Sequence, residues 1–188
     1  MTAMTLALEP VFTLNNEQFQ QLCVLNPELQ LERTAKGELV IMPPTGGETG
    51  RQNAQLIFQV QLWNQQYQLG EVFDSSTGFI LPNGATRSPD VSWVEKSRWE
   101  VLTPEQRERF IPLCPDFVIE LVSPSDSVQK TRLKMEEYRD NGCGFGILVN
   151  RKDRRAEIYR SDYETETLSF PIKVLGKGIL KNLELDLT

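Results

Sequence analysis

The chain has 188 residues, with 26 acidic against 20 basic side chains, a formal charge of -6 and no histidine. That length suits one domain, and the missing histidines exclude His-ligated zinc, a Ser-His-acid triad and a Cys-His dyad. The acidic balance argues against nucleic-acid binding through the whole surface, but is compatible with a local basic groove.

Residues 1–11 carry little signal and are expected to be flexible. Asn15 or Asn16 can cap a short helix that buries Phe19 and Leu22 and stops before Pro27. Leu29 to Arg33 and Glu38 to Met42 read as a hairpin with Gly37 at the turn. Thr45 to Gly50 is a loop without the spacing of a phosphate-binding loop. From Arg51, Leu56, Ile57, Val60, Trp63 and Tyr67 form an apolar helical stripe, with Gln52, Gln55 and Gln59 on a polar face. If the helix already includes Glu48, that acid sits in its first turn, stabilised by the helix dipole or contributing to an active site.

Short strands are expected at 70–74 and 77–81, then at 90–94. Arg87, three residues before Asp90, either neutralises that acid or grips a substrate phosphate. Residues 95–113 leave the sheet, with Thr103-Pro104 as a helix start. Val118, Ile119, Leu121 and Val122 read as a buried strand interrupted by Glu120. A carboxylate there is costly unless paired, hydrogen-bonded or metal-bound. Asp126 is expected to cap the next helix, with Gln129 as its capping-box partner. That helix carries Lys130, Lys134 and Glu137 on one face and ends at Asn141-Gly142. Residues 145–149 form a central strand, and 155–160 alternate as an outer antiparallel strand. A strand, a helix and a strand imply a parallel crossover within a mixed α/β sheet. Asp90 and Glu120 at strand ends, with a lysine nearby, suit a divalent-metal hydrolase centre. Read alone, Glu120 is also at home on an edge strand with one wet face, and Asp90 at a strand start.

Cys23, Cys114 and Cys143 are too few and too scattered for a disulfide framework or metal cluster, which favours a reducing, cytoplasmic setting. No segment has the form of a signal peptide or the length to cross a bilayer, so no membrane role is expected.

The stretches 37–50 (GELVIMPPTGGETG), 87–93 (RSPDVSW), 114–126 (CPDFVIELVSPSD) and 134–138 (KMEEY) followed by Asn141-Gly142 together resemble the Uma2-like (DUF820) family, a restriction-endonuclease family of the PD-(D/E)XK nuclease superfamily. The resemblance covers nearly all of the chain as one domain, 1–188. It implies a restriction-endonuclease-like α/β fold, a mixed sheet flanked by helices, with an added N-terminal helix and hairpin. It implies metal ligation by Asp90 and Glu120, with the catalytic lysine displaced from position 122, here Val122, to Lys134. Lys130 on the same helical face is the alternative lysine, and Glu48 a possible further acid. Asn150 stands where many relatives carry Asp. The implied activity is Mg²⁺- or Mn²⁺-dependent phosphodiester cleavage, with DNA as the expected substrate and RNA left open; a homodimer is the expected assembly. The competing expectation is a catalytically silent module on the same fold, binding nucleic acid or serving a regulatory or protein-interaction role.

Overall fold

The computed structural model describes residues 3–124 and 126–187. The chain opens with strand β1 (Met4–Leu6) and helix α1 (Asn16–Leu25), then the hairpin β2 (Gln30–Arg33) and β3 (Leu39–Met42), and the long helix α2 (Gly47–Tyr67). Strands β4 (Gly70–Asp74), β5 (Phe79–Ile80), β6 (Thr86–Arg87) and β7 (Val91–Glu95) precede two short helices, α3 (Lys96–Glu100) and α4 (Pro104–Arg107). Then come β8 (Phe117–Leu121), α5 (Val128–Asp140), β9 (Phe145–Asn150), β10 (Arg155–Arg160), β11 (Tyr163–Ser169), β12 (Lys173–Leu175) and β13 (Glu184–Asp186).

The central sheet has six strands in the order β11-β10-β9-β8-β7-β4. Strands β8 and β9 run parallel, from Phe117 opposite Phe145 to Leu121 opposite Val149, as expected of a crossover through α5. The other pairs are antiparallel. Side chains of a strand alternate between faces. Phe117, Ile119 and Leu121 therefore pack with Leu56, Val60 and Trp63 of α2. Val118 packs with Met135 and Tyr138 of α5. Glu120 has the parity of Val118 and belongs to the α5 side, which decides its partners. Cys114 and Cys143 are buried free thiols.

A second, five-stranded sheet runs β1-β3-β2-β6-β5. Its hairpin turns at Gly37, whose φ of 79° favours glycine. Asn15 caps α1 in a complete capping box with Gln18, and Phe19 is buried with Leu31 and Leu39. Within the stretch expected to be flexible, Met4–Leu6 pairs with β3, Met4 lying opposite Ile41. Residues 1 and 2 lie outside the described residues.

Two local expectations need correction. Strand β10 is not the outer strand, because the exposed, polar β11 pairs beyond it. Backbone pairing needs no apolar face, so residues 163–169 complete the sheet despite their polarity. The cap of α5 is also not Asp126. The Asp126 carboxylate accepts from the Ser123 N–H at 3.0 Å and closes the loop after β8. Ser127 is the N-cap, its hydroxyl accepting from Lys130 N–H at 3.4 Å. Ser127→Ala should therefore cost about 0.5–1 kcal/mol in a urea titration, the low end for a cap because the bond is long. Gln129→Ala should cost nothing measurable, whereas a capping box on Asp126 would make Gln129 costly to remove.

Candidate functional site

A cavity of about 930 Å³ opens between the hairpin β2–β3, the start of α2, the end of β8 and helix α5. Asp90, Glu120 and Lys134, three residues far apart in the chain, all line it. Asp90 stands at the entrance to β7. Its carboxylate accepts from the Leu121 N–H at 2.7 Å and from the Asn53 amide at 3.0 Å. The first bond ties the mouth of β7 to the end of β8, and the second ties it to α2.

Glu120 is buried, 7% exposed. Its Oε1 lies 2.8 Å from Lys134 Nζ and accepts from the Tyr138 hydroxyl at 3.0 Å. Four residues separate Lys134 from Tyr138, one turn of helix, so both reach the same carboxylate. The ammonium of Lys134 also lies 2.8 Å from Glu32 Oε1. Glu32, on β2, accepts in addition from the Ser88 N–H at 2.9 Å and pairs with Arg87 at 3.2 Å. Arg87 in turn pairs with Glu137 at 2.6 Å.

Charge within this network is unbalanced. Four carboxylates (Glu32, Asp90, Glu120, Glu137) share two cations (Arg87, Lys134), which leaves two formal negative charges. Burial pushes the Glu120 carboxyl up to about 7; Lys134 opposes the shift, and the charges of Asp90 and Glu32 add to it. Burial also raises Asp90, against the Leu121 N–H, Lys134 and Asn53. Glu32 goes the other way. Burial alone would raise it, but Lys134 and Arg87 outweigh that and hold it below the usual carboxylate range. Lys134 is held protonated above its ordinary range, because Glu120 and Glu32 outweigh its burial.

Of the other residues expected at the site, Lys130 lines the cavity as an exposed side chain. Lys134, rather than Lys130, reaches the acids. Glu48 lies on the cavity rim, turned to Arg51 at 2.6 Å, and that guanidinium holds it down to about 2. The two are exposed neighbours on α2, so Glu48 is not drawn into the acidic network. Arg87 is not the partner of Asp90, and its buried guanidinium is engaged by Glu32 and Glu137. Asn150 closes the turn after β9 through reciprocal bonds with Asp153.

Sequence reading missed Glu32, Glu137 as the Arg87 partner, and Asn53. No local pattern marks Glu32, whose role depends on where the second sheet is placed. Asn53 did leave a trace. It lies three residues before Leu56 and seven before Val60, where a polar residue continues the apolar stripe of α2.

Among the described residues, no three His, Cys, Asp or Glu side chains form a ready metal cluster. The donor chemistry nevertheless suits a hard divalent cation. Asp90 and Glu120 offer carboxylate oxygens, and the network carries a surplus of two negative charges.

The profile of one family, described as "Uma2: Putative restriction endonuclease", matches residues 16–188. The chain belongs to the Uma2 family. The Uma2 chain also resembles in fold the crystal structure of a protein from Anabaena variabilis, titled a putative nuclease belonging to DUF820. The TM-score is 0.73 at 20% identity, over 85% of this chain and 88% of that one. No curated protein matches. The expected mixed α/β nuclease-like fold and the family resemblance are thus borne out. Among the described residues, no helix is long and apolar enough to cross a membrane.

Proposed function

We propose that this Uma2 protein is a divalent-metal-dependent endonuclease that hydrolyses phosphodiester bonds, with DNA as its first substrate class. One observation carries the reading. Asp90, Glu120 and Lys134 meet in a single cavity, with the lysine 2.8 Å from one of the acids. Asp90 and Glu120 would hold Mg²⁺ or Mn²⁺. When bound, such an ion supplies Lewis-acid charge and lowers the pKa of water.

The protein's own groups do the rest. Lys134 keeps a fixed positive charge beside the acids, where it can stabilise negative charge developing on a phosphoryl group. Glu32 and Tyr138 hold the ammonium and Glu120 in register, and Arg87 anchors Glu32. The Leu121 N–H fixes one oxygen of Asp90, so the two acids move with the sheet rather than with a loop. Acidic residues outnumber basic ones around the cavity, so nucleic acid should bind weakly until cations offset that charge.

A second reading, a catalytically silent module, has one observation in its favour. Lys134 is already bracketed by two carboxylates, which satisfies its charge without a substrate. Cleavage separates the two. Single- and double-stranded DNA and RNA are incubated with Mg²⁺ or Mn²⁺, with and without EDTA. We expect metal-dependent cleavage that falls at least about a hundredfold in Asp90→Ala. Equal cleavage by the folded Asp90→Ala protein would mark a contaminant and leave the silent module standing.

A further inference from the structure

Two carboxylates are a sparse set for a cation that takes six or more oxygen ligands. Helix α2 supplies another oxygen. Asn53 donates its amide N–H to Asp90 at 3.0 Å, which sets the orientation of the group. Reversing the amide would put two acceptors face to face. Its Oδ1 is then left buried and without a hydrogen-bond donor among the described residues. A buried amide oxygen without a donor costs free energy, and each such atom calls for an explanation.

Asn53 lines the same cavity as Asp90 and Glu120. It also reaches Asp90 from α2, which Glu48 does not. Five residues apart, the two stand about 140° from each other around the helix. Glu48 is accordingly turned outward to Arg51, while Asn53 faces the sheet.

We propose that Asn53 is the third oxygen donor of the Asp90–Glu120 centre and at the same time the group that orients Asp90. Its N–H holds the Asp90 carboxylate, and its Oδ1 is kept free of protein donors for a divalent cation or that cation's hydration shell. The inference rests on the metal-dependent reading above and extends it to a neutral ligand that no acid-based motif would reveal.

The test is calorimetric binding of Mn²⁺ to the full chain without nucleic acid at pH 8, with thermal unfolding as the check on folding. Asn53→Leu preserves the side chain's shape and removes both polar atoms. It should unfold within a few degrees of the unsubstituted chain and bind Mn²⁺ at least tenfold more weakly. Asn53→Asp keeps an oxygen where Oδ1 stands. It should bind Mn²⁺ within about threefold of the unsubstituted chain, or more tightly. If Asn53→Leu fails to fold, Asn53→Asp and Asn53→Ser decide, with tight binding expected from the former and weak binding from the latter.

Mn²⁺ binding by a folded Asn53→Leu or Asn53→Ser protein that equals the unsubstituted chain overturns the role of Asn53 while leaving the Asp90–Glu120 centre intact. Weak binding by all the variants, Asn53→Asp included, reduces Asn53 to an orienting group and overturns the oxygen-donor role. No Mn²⁺ binding by the unsubstituted chain removes the metal reading itself, and this proposal with it.

Discussion

Lys134→Ala is expected to destabilise the protein by about 3–5 kcal/mol at pH 8, the cost of removing one partner from a buried ion pair. The magnitude follows from what the lysine leaves behind. Its ammonium lies 2.8 Å from both Glu120 and Glu32, and both acids are buried. Arg87 still partners Glu32 after the change, but among the described residues Glu120 keeps only the Tyr138 hydroxyl. Glu120 then has one way to lower its cost, which is to take up a proton. Burial already pushes its carboxyl up to about 7 with the lysine in place, and losing the lysine raises it further. The loss should therefore be smaller at pH 6, where Glu120 of the parent is already largely protonated, than at pH 8, where the variant must take up that proton on folding. Urea denaturation at the two pH values measures this. A pH-independent loss would mean that the destabilisation comes from packing of the aliphatic stem and not from the uncompensated charge. Glu120→Gln introduced alongside Lys134→Ala should recover much of the stability, since the orphaned charge is gone.

How much of this was legible in the sequence depends on how local each signal is. Glu120 announced itself because an acid inside Val118-Ile119-Leu121-Val122 breaks a pattern within one strand. Asp90 and Lys134 were found with it because the mouth of one strand and the helix after another carry family motifs. The parallel pairing of β8 with β9 followed from a strand, a helix and a strand in sequence. Glu32 was not legible. Its partners are 55 and 102 residues away along the chain, and they meet only because the fold brings β2 beside β6 and α5. Glu48 was legible in part, since it lines the cavity as expected of a possible further acid. Its place in the first turn of α2 was right, but its carboxylate pairs with Arg51, and it is Asn53 that reaches Asp90. Asp126 misled because a capping residue and a loop-closing residue look alike in sequence. Only the backbone decides that its carboxylate turns back to Ser123.

Glu120→Gln is the complementary case, with stability and function expected to move in opposite directions. An acid whose carboxyl is raised from 4.5 to about 7 on folding binds its proton more tightly in the native state than in the unfolded state. Its contribution to stability is fully present below pH 4.5, falls as pH rises through that window, and is at its worst above 7. Glutamine keeps the shape and removes the titration. At pH 8 the variant should be at least as stable as the parent, because the repulsion from Asp90 and Glu32 disappears while Lys134 retains Glu32. At pH 5 the two proteins should unfold at nearly the same temperature, since the parent is then largely protonated. Thermal unfolding across pH 5–8 checks both points, and a variant less stable at pH 8 than at pH 5 relative to the parent would refute the sign. The functional arm runs the other way. Losing one of two carboxylates should abolish most of the Mn²⁺-induced rise in melting temperature and lower metal-dependent cleavage by at least about a hundredfold. A Glu120 kept only to stabilise the fold cannot produce this combination, because removing its charge would then lower stability. A buried acid that costs stability and is retained for a cation does produce it.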